Sequence, residues 1–133
     1  YSAGRDRLTV EVAGVRITPL ICYDLRFTDL FWDAAATTDC FIVPANWPEV
    51  RREHWTTLLR ARAIENQAYV VGVNRVGSAG RLAYTGDTRI IDPLGDTVEA
   101  DSGVESTIVA TVDEAVVAKV RADFPFMQDR SSG

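Results

Sequence analysis

The 133 residues are enough for one globular domain, and 47% hydrophobic with 25% charged residues is the balance of a chain that buries a core. Fourteen lysines and arginines against 19 aspartates and glutamates give a formal net charge of −5. The basic residues are scattered among acidic ones, which argues against nucleic acid as a partner. No apolar run approaches the roughly 20 residues of a membrane helix, and residues 1–7 lack the apolar region of a signal peptide. We therefore expect no membrane association and a cytoplasmic protein.

The chain opens with two extended segments that predict a β-hairpin. Leu8, Val10 and Val12 alternate with polar residues, Ala13-Gly14 can turn, and residues 15–18 resume the alternation.

An alternation of helices and strands follows, which is typical of α/β proteins. Thr28 is a candidate N-cap for a helix over residues 29–36, where apolar residues recur at i, i+4 spacing. Residues 40–44 predict a buried strand closed by proline. Residues 52–67 predict a second helix with apolar and charged positions, and residues 68–73 predict another buried strand.

The remainder of the chain changes character. Residues 84–91 and 96–100 read as short extended pieces around Asp92-Pro93-Leu94-Gly95, where proline suits the second position of a type I turn. Residues 107–112 predict a last strand and residues 113–121 a short helix. The final ten residues carry Phe, Pro and Met with no obvious core to enter, so they either pack on a partner subunit or dock loosely.

Cys22 is the first candidate for chemistry, because it stands at the end of a strand and before a helix, where an α/β sheet presents reactive groups. Backbone N–H groups at such a turn can face an oxyanion, a contribution on the order of 3 kcal/mol per donor. The alternative is that Cys22 is a small buried hydrophobe, as most free cysteines are. Cys40 lies in an apolar run and is expected in the core. With a single histidine and no CxxC pair, we expect no metal site.

The residues around Cys22 resemble those of a known family. The segment Leu20-Ile21-Cys22-Tyr23-Asp24-Leu25-Arg26-Phe27 is similar to the nucleophile motif of the nitrilase superfamily of carbon–nitrogen hydrolases. The resemblance, which points to the omega-amidase-like branch, covers nearly the whole chain. It continues through Pro44-Ala45-Asn46-Trp47-Pro48, His54-Trp55, Leu59-Arg60-Ala61-Arg62-Ala63-Ile64-Glu65-Asn66-Gln67, Val73-Asn74-Arg75-Val76-Gly77, Tyr84-Thr85-Gly86-Asp87 and Ile91-Asp92-Pro93-Leu94-Gly95.

The resemblance implies both a fold and a reaction. The fold is half of a four-layer αββα sandwich, with residues 1–133 as the C-terminal portion of a single carbon–nitrogen hydrolase domain whose N-terminal portion is absent. The reaction is hydrolysis of a small-molecule carboxamide to carboxylate and ammonia through a cysteine thioester, with Glu as general base and acid and Lys at the oxyanion. Cys22 matches the nucleophile, and the backbone N–H of Tyr23 is the expected oxyanion donor.

The family's Glu and Lys precede the nucleophile in the chain, and neither is matched here. No lysine precedes Cys22, and Glu11 lies within a predicted strand where a solvent-facing side chain is the simpler account. We therefore expect residues 1–133 to be inactive alone and an N-terminal half to be supplied as an extension or a separate chain. The alternative is a non-catalytic fragment or assembly module.

Arg26, Asn46 and Trp47 are the expected substrate-binding residues. Asn46 and Trp47 follow a strand next to that of Cys22, so they could line one pocket, or Trp47 could simply anchor a loop. Arg26, with Asp24, either holds the nucleophile loop or contributes to recognition of a substrate carboxylate, as in resembling proteins. His54 also permits a protease-like pair with Cys22, oriented by Asn46, although the residues around it match an amidase.

The resemblance also predicts partners. The substrate is a small amide with a carboxylate, such as the keto-acid amides of glutamine or asparagine, and no cofactor is expected. The protein is expected to form a homodimer or a higher homo-oligomer through the helices that begin near Asp29 and Arg52.

Overall fold

The computed structural model describes residues 6–130. In this range the chain forms β1 (Val10–Val12), β2 (Val15–Pro19), α1 (Thr28–Ala34), β3 (Cys40–Ala45), α2 (Arg52–Asn66), β4 (Tyr69–Asn74), β5 (Val76–Ala79), β6 (Leu82–Thr85), β7 (Thr88–Ile91), β8 (Thr97–Asp101) and α3 (Glu114–Asp123). Short 3-10 turns cover Cys22–Arg26, Ala35–Thr37, Glu49–Arg51 and Phe126–Asp129. None of the helices in the described range is long and apolar enough to cross a membrane.

Six strands form a mixed sheet in the order β1-β2-β3-β4-β7-β8, and β5 with β6 forms a separate hairpin. The strands β2, β3 and β4 are parallel, whereas β1, β7 and β8 join antiparallel. The predicted β1–β2 hairpin and the α/β alternation are therefore confirmed. Because parallel strands end at one edge of a sheet, the residues after β2 and the residues after β3 meet there.

One face of the sheet is covered by α1 and α2. Phe41 and Val43 of β3 point to this face, and the ring of Phe41 lies 4.9 Å from that of Phe31 in α1. Helix α2 approaches β4 closely at Gly72, where a β-carbon would lie 2.4 Å from Cδ1 of Leu59. The larger of two hydrophobic clusters fills this layer.

The opposite face of the sheet is covered less completely by the described residues. Cys40 and Tyr69, at the starts of β3 and β4, pack with Val117 of α3 in a smaller cluster. Farther along the strands Pro44 is exposed and Val73 is 46% exposed. The described range therefore forms an α/β arrangement with helices mainly on one side of the sheet.

The first helix begins differently from the prediction. Phe27, without a side-chain hydrogen bond, occupies the N-cap position, and Thr28 is the first residue of α1. The prediction of Thr28 as N-cap was wrong because its hydroxyl instead accepts a hydrogen bond from Nη1 of Arg62 at 2.6 Å. The helix ends at Ala34 and continues as a 3-10 turn.

The C-terminal third contains the larger differences. The predicted extended piece over residues 84–91 is split at Gly86 and Asp87, which have φ values of +74° and +55°. The β5–β6 hairpin was not predicted. The predicted strand over residues 107–112 was wrong: these residues form no strand, and Val109 is 80% exposed.

The described part of the tail folds back onto its own chain. The guanidinium of Arg130 lies 3.4 Å from the centroid of the Trp32 ring and donates to the Trp32 carbonyl at 2.6 Å. Nε2 of Gln67 donates to the carbonyl of Phe124 at 2.9 Å. Of the predicted tail, residues 131–133 lie outside the described residues.

Candidate active site

Cys22 follows β2 and opens a 3-10 turn with a φ of +45°, a left-handed conformation that is uncommon for any residue except glycine. Asp24 stabilises this turn through its backbone and its side chain. Its N–H donates to the carbonyl of Ile21 at 2.9 Å, and its carboxylate accepts from the N–H of Ile21 at 2.8 Å. The thiol is half-buried at the edge of the sheet, so it can be reached from solvent.

A buried guanidinium fastens the same turn to α2. Nε and Nη2 of Arg62 donate to the carbonyl of Leu25 at 3.1 and 2.9 Å. Nη1 donates to the hydroxyl of Thr28 and, at 2.9 Å, to Oε1 of Glu65. Arg62 is only 4% exposed, although its place in the sequence suggested a charged helix face. A buried arginine is therefore a structural part of the turn that carries Cys22.

Cys22 lies in a pocket of about 140 Å³ at the carboxyl edge of the parallel strands. This volume, enclosed by the described residues alone, is below the roughly 300 Å³ at which typical ligand pockets begin. All of the predicted site residues meet here. The lining residues are Cys22, Tyr23, Arg26, Asn46, Trp47, Pro48 and Arg51, of which Pro48 and Arg51 were not foreseen.

Arg26 is held by stacking and not by an ion pair with Asp24. Its guanidinium carbon lies 4.7 Å from the centroid of the Trp47 ring and 6.0 Å from that of Tyr23. Nη2 lies 3.3 Å from Nδ1 of His54 and can donate to it. His54 itself does not line the Cys22 pocket but a neighbouring recess on α2. The geometry therefore gives no support to a pair between Cys22 and His54.

Trp47, which lines the pocket, is anchored by the side-chain amide of Asn74. Oδ1 of Asn74 accepts from the N–H of Trp47 at 2.7 Å, while Nδ2 donates to the carbonyls of Trp47 and Gly86, each at 2.9 Å. Nε1 of Trp47 donates to the carbonyl of Arg51 at 2.8 Å. Asn46, by contrast, is exposed. Trp47 therefore both anchors its loop and lines the pocket.

Among the described residues, the carboxylates and the lysine lie away from the lining of the Cys22 pocket. The pocket lining contains neither, Glu11 is exposed on β1, and Lys119 is paired with Asp123 on α3. Residues 6–130 also bring together no group of three His, Cys, Asp or Glu side chains fit for a metal ion.

The second thiol has a different environment. Burial, with a smaller contribution from the neighbouring Asp39, raises the pKa of Cys40 to about 12. Because the thiolate is the reactive form, Cys40 is a core residue and not a nucleophile.

The mixed sheet and its helices make this an α/β protein. Within the described residues, its candidate thiol nucleophile is the half-buried Cys22, which follows a parallel strand. A family model described as carbon–nitrogen hydrolase matches residues 1–122. The chain belongs to the carbon–nitrogen hydrolase family.

Individual relatives agree with this membership. The chain is 47% identical over 132 residues to an omega-amidase of Escherichia coli K12, covering 97% of this chain and 51% of that protein. It is 41% identical over 132 residues to a 2-oxoglutaramate amidase of Bacillus subtilis, covering 96% of this chain and 50% of that one.

A CN-hydrolase superfamily protein of Xanthomonas campestris superposes with a TM-score of 0.92 at 44% identity, over 100% of this chain and 53% of that one. This CN-hydrolase superfamily structure thus shows the same α/β fold. The chain spans about half the length of the curated relatives that it matches.

Proposed function

We propose that Cys22 is the nucleophile of an amide hydrolase that converts a small carboxamide to a carboxylate and ammonia. The observation that carries the proposal is the position of the Cys22 thiol in a small pocket, at a turn fixed by Asp24 and Arg62. The names of the relatives, an omega-amidase and a 2-oxoglutaramate amidase, support the same reaction class.

The proposed reaction has two halves. In the first, the sulfur of Cys22 bonds to the amide carbon, and the negative charge that develops on oxygen is stabilised by the backbone N–H of Tyr23. The carbon–nitrogen bond then breaks, and nitrogen leaves as ammonia after receiving a proton. In the second, water adds to the thioester, the carbon–sulfur bond breaks, and the carboxylate and the free thiol are formed.

The proton transfers require groups that the Cys22 pocket lacks in the described residues. We assign them to a glutamate that acts as base and acid and to a lysine at the oxyanion, both from outside residues 6–130. Loss of general acid–base help typically costs about 10² to 10⁴ in rate. Residues 1–133 alone are therefore expected to show no measurable turnover, and a separately supplied N-terminal segment with both groups is expected to restore it.

The pocket lining also favours a particular substrate class. A pocket lined by Trp47 and two arginines suits a small carboxamide that carries a carboxylate. Asn46, which is exposed at the pocket rim, is proposed to bind the substrate through its amide, and Arg26 to contribute positive charge.

We further propose a homo-oligomer that uses α1 and α2, which static light scattering at micromolar protein would test. A single monomer peak would refute that part.

The test of the reaction is ammonia release from a panel of small carboxamides. The complete enzyme should turn over, Cys22→Ser should abolish turnover, and the matched control Cys40→Ala should retain it. Iodoacetamide followed by peptide mapping should label Cys22 before Cys40, because Cys40 is 2% exposed.

Two outcomes would count against the proposal. Turnover that survives Cys22→Ser would exclude the nucleophile. Turnover by residues 1–133 alone would exclude the need for an external base. Absence of turnover in every preparation would favour the second candidate, an assembly module, for which the pocket without a carboxylate is the supporting observation.

A further inference from the structure

The Cys22 pocket is lined by basic residues and by no acidic ones among the described residues. The basic residues are Arg26 and Arg51, and neither forms an ion pair in this range. Several other arginines of the described range are paired with carboxylates: Nη2 of Arg16 lies 2.6 Å from Asp39, and Nη2 of Arg52 lies 2.8 Å from Asp87. A small recess lined by arginines without a carboxylate favours an anion.

The two arginines differ in what holds them. Arg26 is stacked on Trp47 and Tyr23 and is within hydrogen-bonding distance of His54. The side chain of Arg51 makes no hydrogen bond or ion pair within residues 6–130, so its five N–H donors are open to a ligand.

The backbone of Arg51 is nevertheless fixed. Its N–H donates to the carbonyl of Pro48 at 3.0 Å, and its carbonyl accepts from Nε1 of Trp47 at 2.8 Å. Both partners are walls of the same pocket. The backbone of Arg51 is therefore held at the pocket rim, while its guanidinium remains free to bind a ligand.

We propose that Arg51 binds the carboxylate of the amide substrate and so determines specificity. This inference rests on the proposed function. The planar guanidinium can bond a carboxylate through two parallel N–H groups, a geometry that a lysine cannot reproduce. Because Arg51 and Cys22 line the same pocket, one small substrate can present its carboxylate to Arg51 and its amide to Cys22. Arg26 adds a second positive charge from its fixed position.

The experiment compares two substrates of similar length in the complete enzyme: succinamate, which has a carboxylate, and butyramide, which does not. Arg51→Gln should raise KM for succinamate about 10- to 100-fold with kcat little changed, and should leave kcat/KM for butyramide within about twofold. Arg51→Lys should recover part of the loss. The matched control is Arg81→Gln, an exposed arginine whose side chain makes no hydrogen bond in the described range.

Calorimetric titration with succinate separates failure of this inference from failure of the proposed function, because succinate binding requires no turnover. Arg51→Gln should weaken succinate binding at least about tenfold, even if neither carboxamide is hydrolysed. Unchanged succinate binding in Arg51→Gln would overturn the inference. An equal loss of kcat/KM for succinamate and butyramide would also overturn it, since that pattern reports a structural role.

Discussion

Replacement of Arg62 by methionine should destabilise the protein strongly. The change keeps much of the aliphatic volume and removes the guanidinium. Arg62 donates two hydrogen bonds to the carbonyl of Leu25, a residue that is fully buried. A buried acceptor left without a donor costs about 1–3 kcal/mol.

Loss of the ion pair between Arg62 and Glu65 adds a smaller amount to the destabilisation. Oε1 of Glu65 lies 2.9 Å from Arg62, but the Glu65 side chain is 28% exposed, so water compensates part of its loss. Thr28 is exposed and can turn its hydroxyl to water. We therefore expect Arg62→Met to lower the free energy of unfolding by about 2–4 kcal/mol, which combines the unsatisfied buried carbonyl with up to about 1 kcal/mol for the partly exposed pair. That is a large share of the roughly 5–15 kcal/mol of a typical domain.

Urea unfolding followed by tryptophan fluorescence measures this loss. The matched control is Arg60→Met, because Arg60 is exposed on the same helix and makes no side-chain hydrogen bond within residues 6–130; it should stay within about 0.5 kcal/mol of the parent. Arg62→Met combined with Glu65→Gln should recover about 1 kcal/mol by removing the unpaired carboxylate. A loss below about 1 kcal/mol for Arg62→Met would refute the reasoning.

Two further predictions concern packing and pH. Gly72→Ala would place a β-carbon 2.4 Å from a leucine side chain of α2, so we expect overpacking of about 1–3 kcal/mol and a lower Tm in thermal unfolding; an unchanged Tm would contradict the close approach. For Asp87, burial raises the pKa, but hydrogen bonds from Ser102, Thr85 and Arg52 outweigh it and hold the pKa below its ordinary 3.8. Its stabilisation is therefore present above about pH 4 and is lost as the pH falls through the lower folded value. The urea midpoints of the parent and Asp87→Asn should differ most near pH 7 and converge toward pH 3, and an equal difference at both pH values would exclude this linkage.

The parts of the fold that the sequence predicts are those with strong apolar patterns. β3 and β4 are nearly continuous apolar runs, and α2 shows helical spacing over several turns, so each was recognised. Residues 107–112 carry the same β-branched pattern but form no strand, because strand formation needs a partner and none pairs with them within residues 6–130. The β5–β6 hairpin was missed since Gly77, Ser78 and Gly80 interrupt any alternation.

The residues of the candidate site likewise divide into those that the sequence predicts and those that it does not. Cys22 and Trp47 could be placed together because both follow parallel strands that end at one edge. Arg51 could not, since it stands in a run of charged residues and its orientation depends on the 3-10 turn before α2. The burial of Arg62 was equally hidden, because no local pattern shows that a carbonyl from a distant turn faces that side of the helix.

The amide of Asn74 restricts which amino acid can occupy its position. It meets one N–H and two carbonyls, so it must present an oxygen to Trp47 and an NH₂ to both acceptors. Aspartate would turn an oxygen toward two carbonyls, leucine would leave all three groups unpaired, and glutamine would extend the amide by one carbon. Natural variation and mutagenesis libraries should therefore return asparagine alone at this position, although its side chain need never contact a substrate.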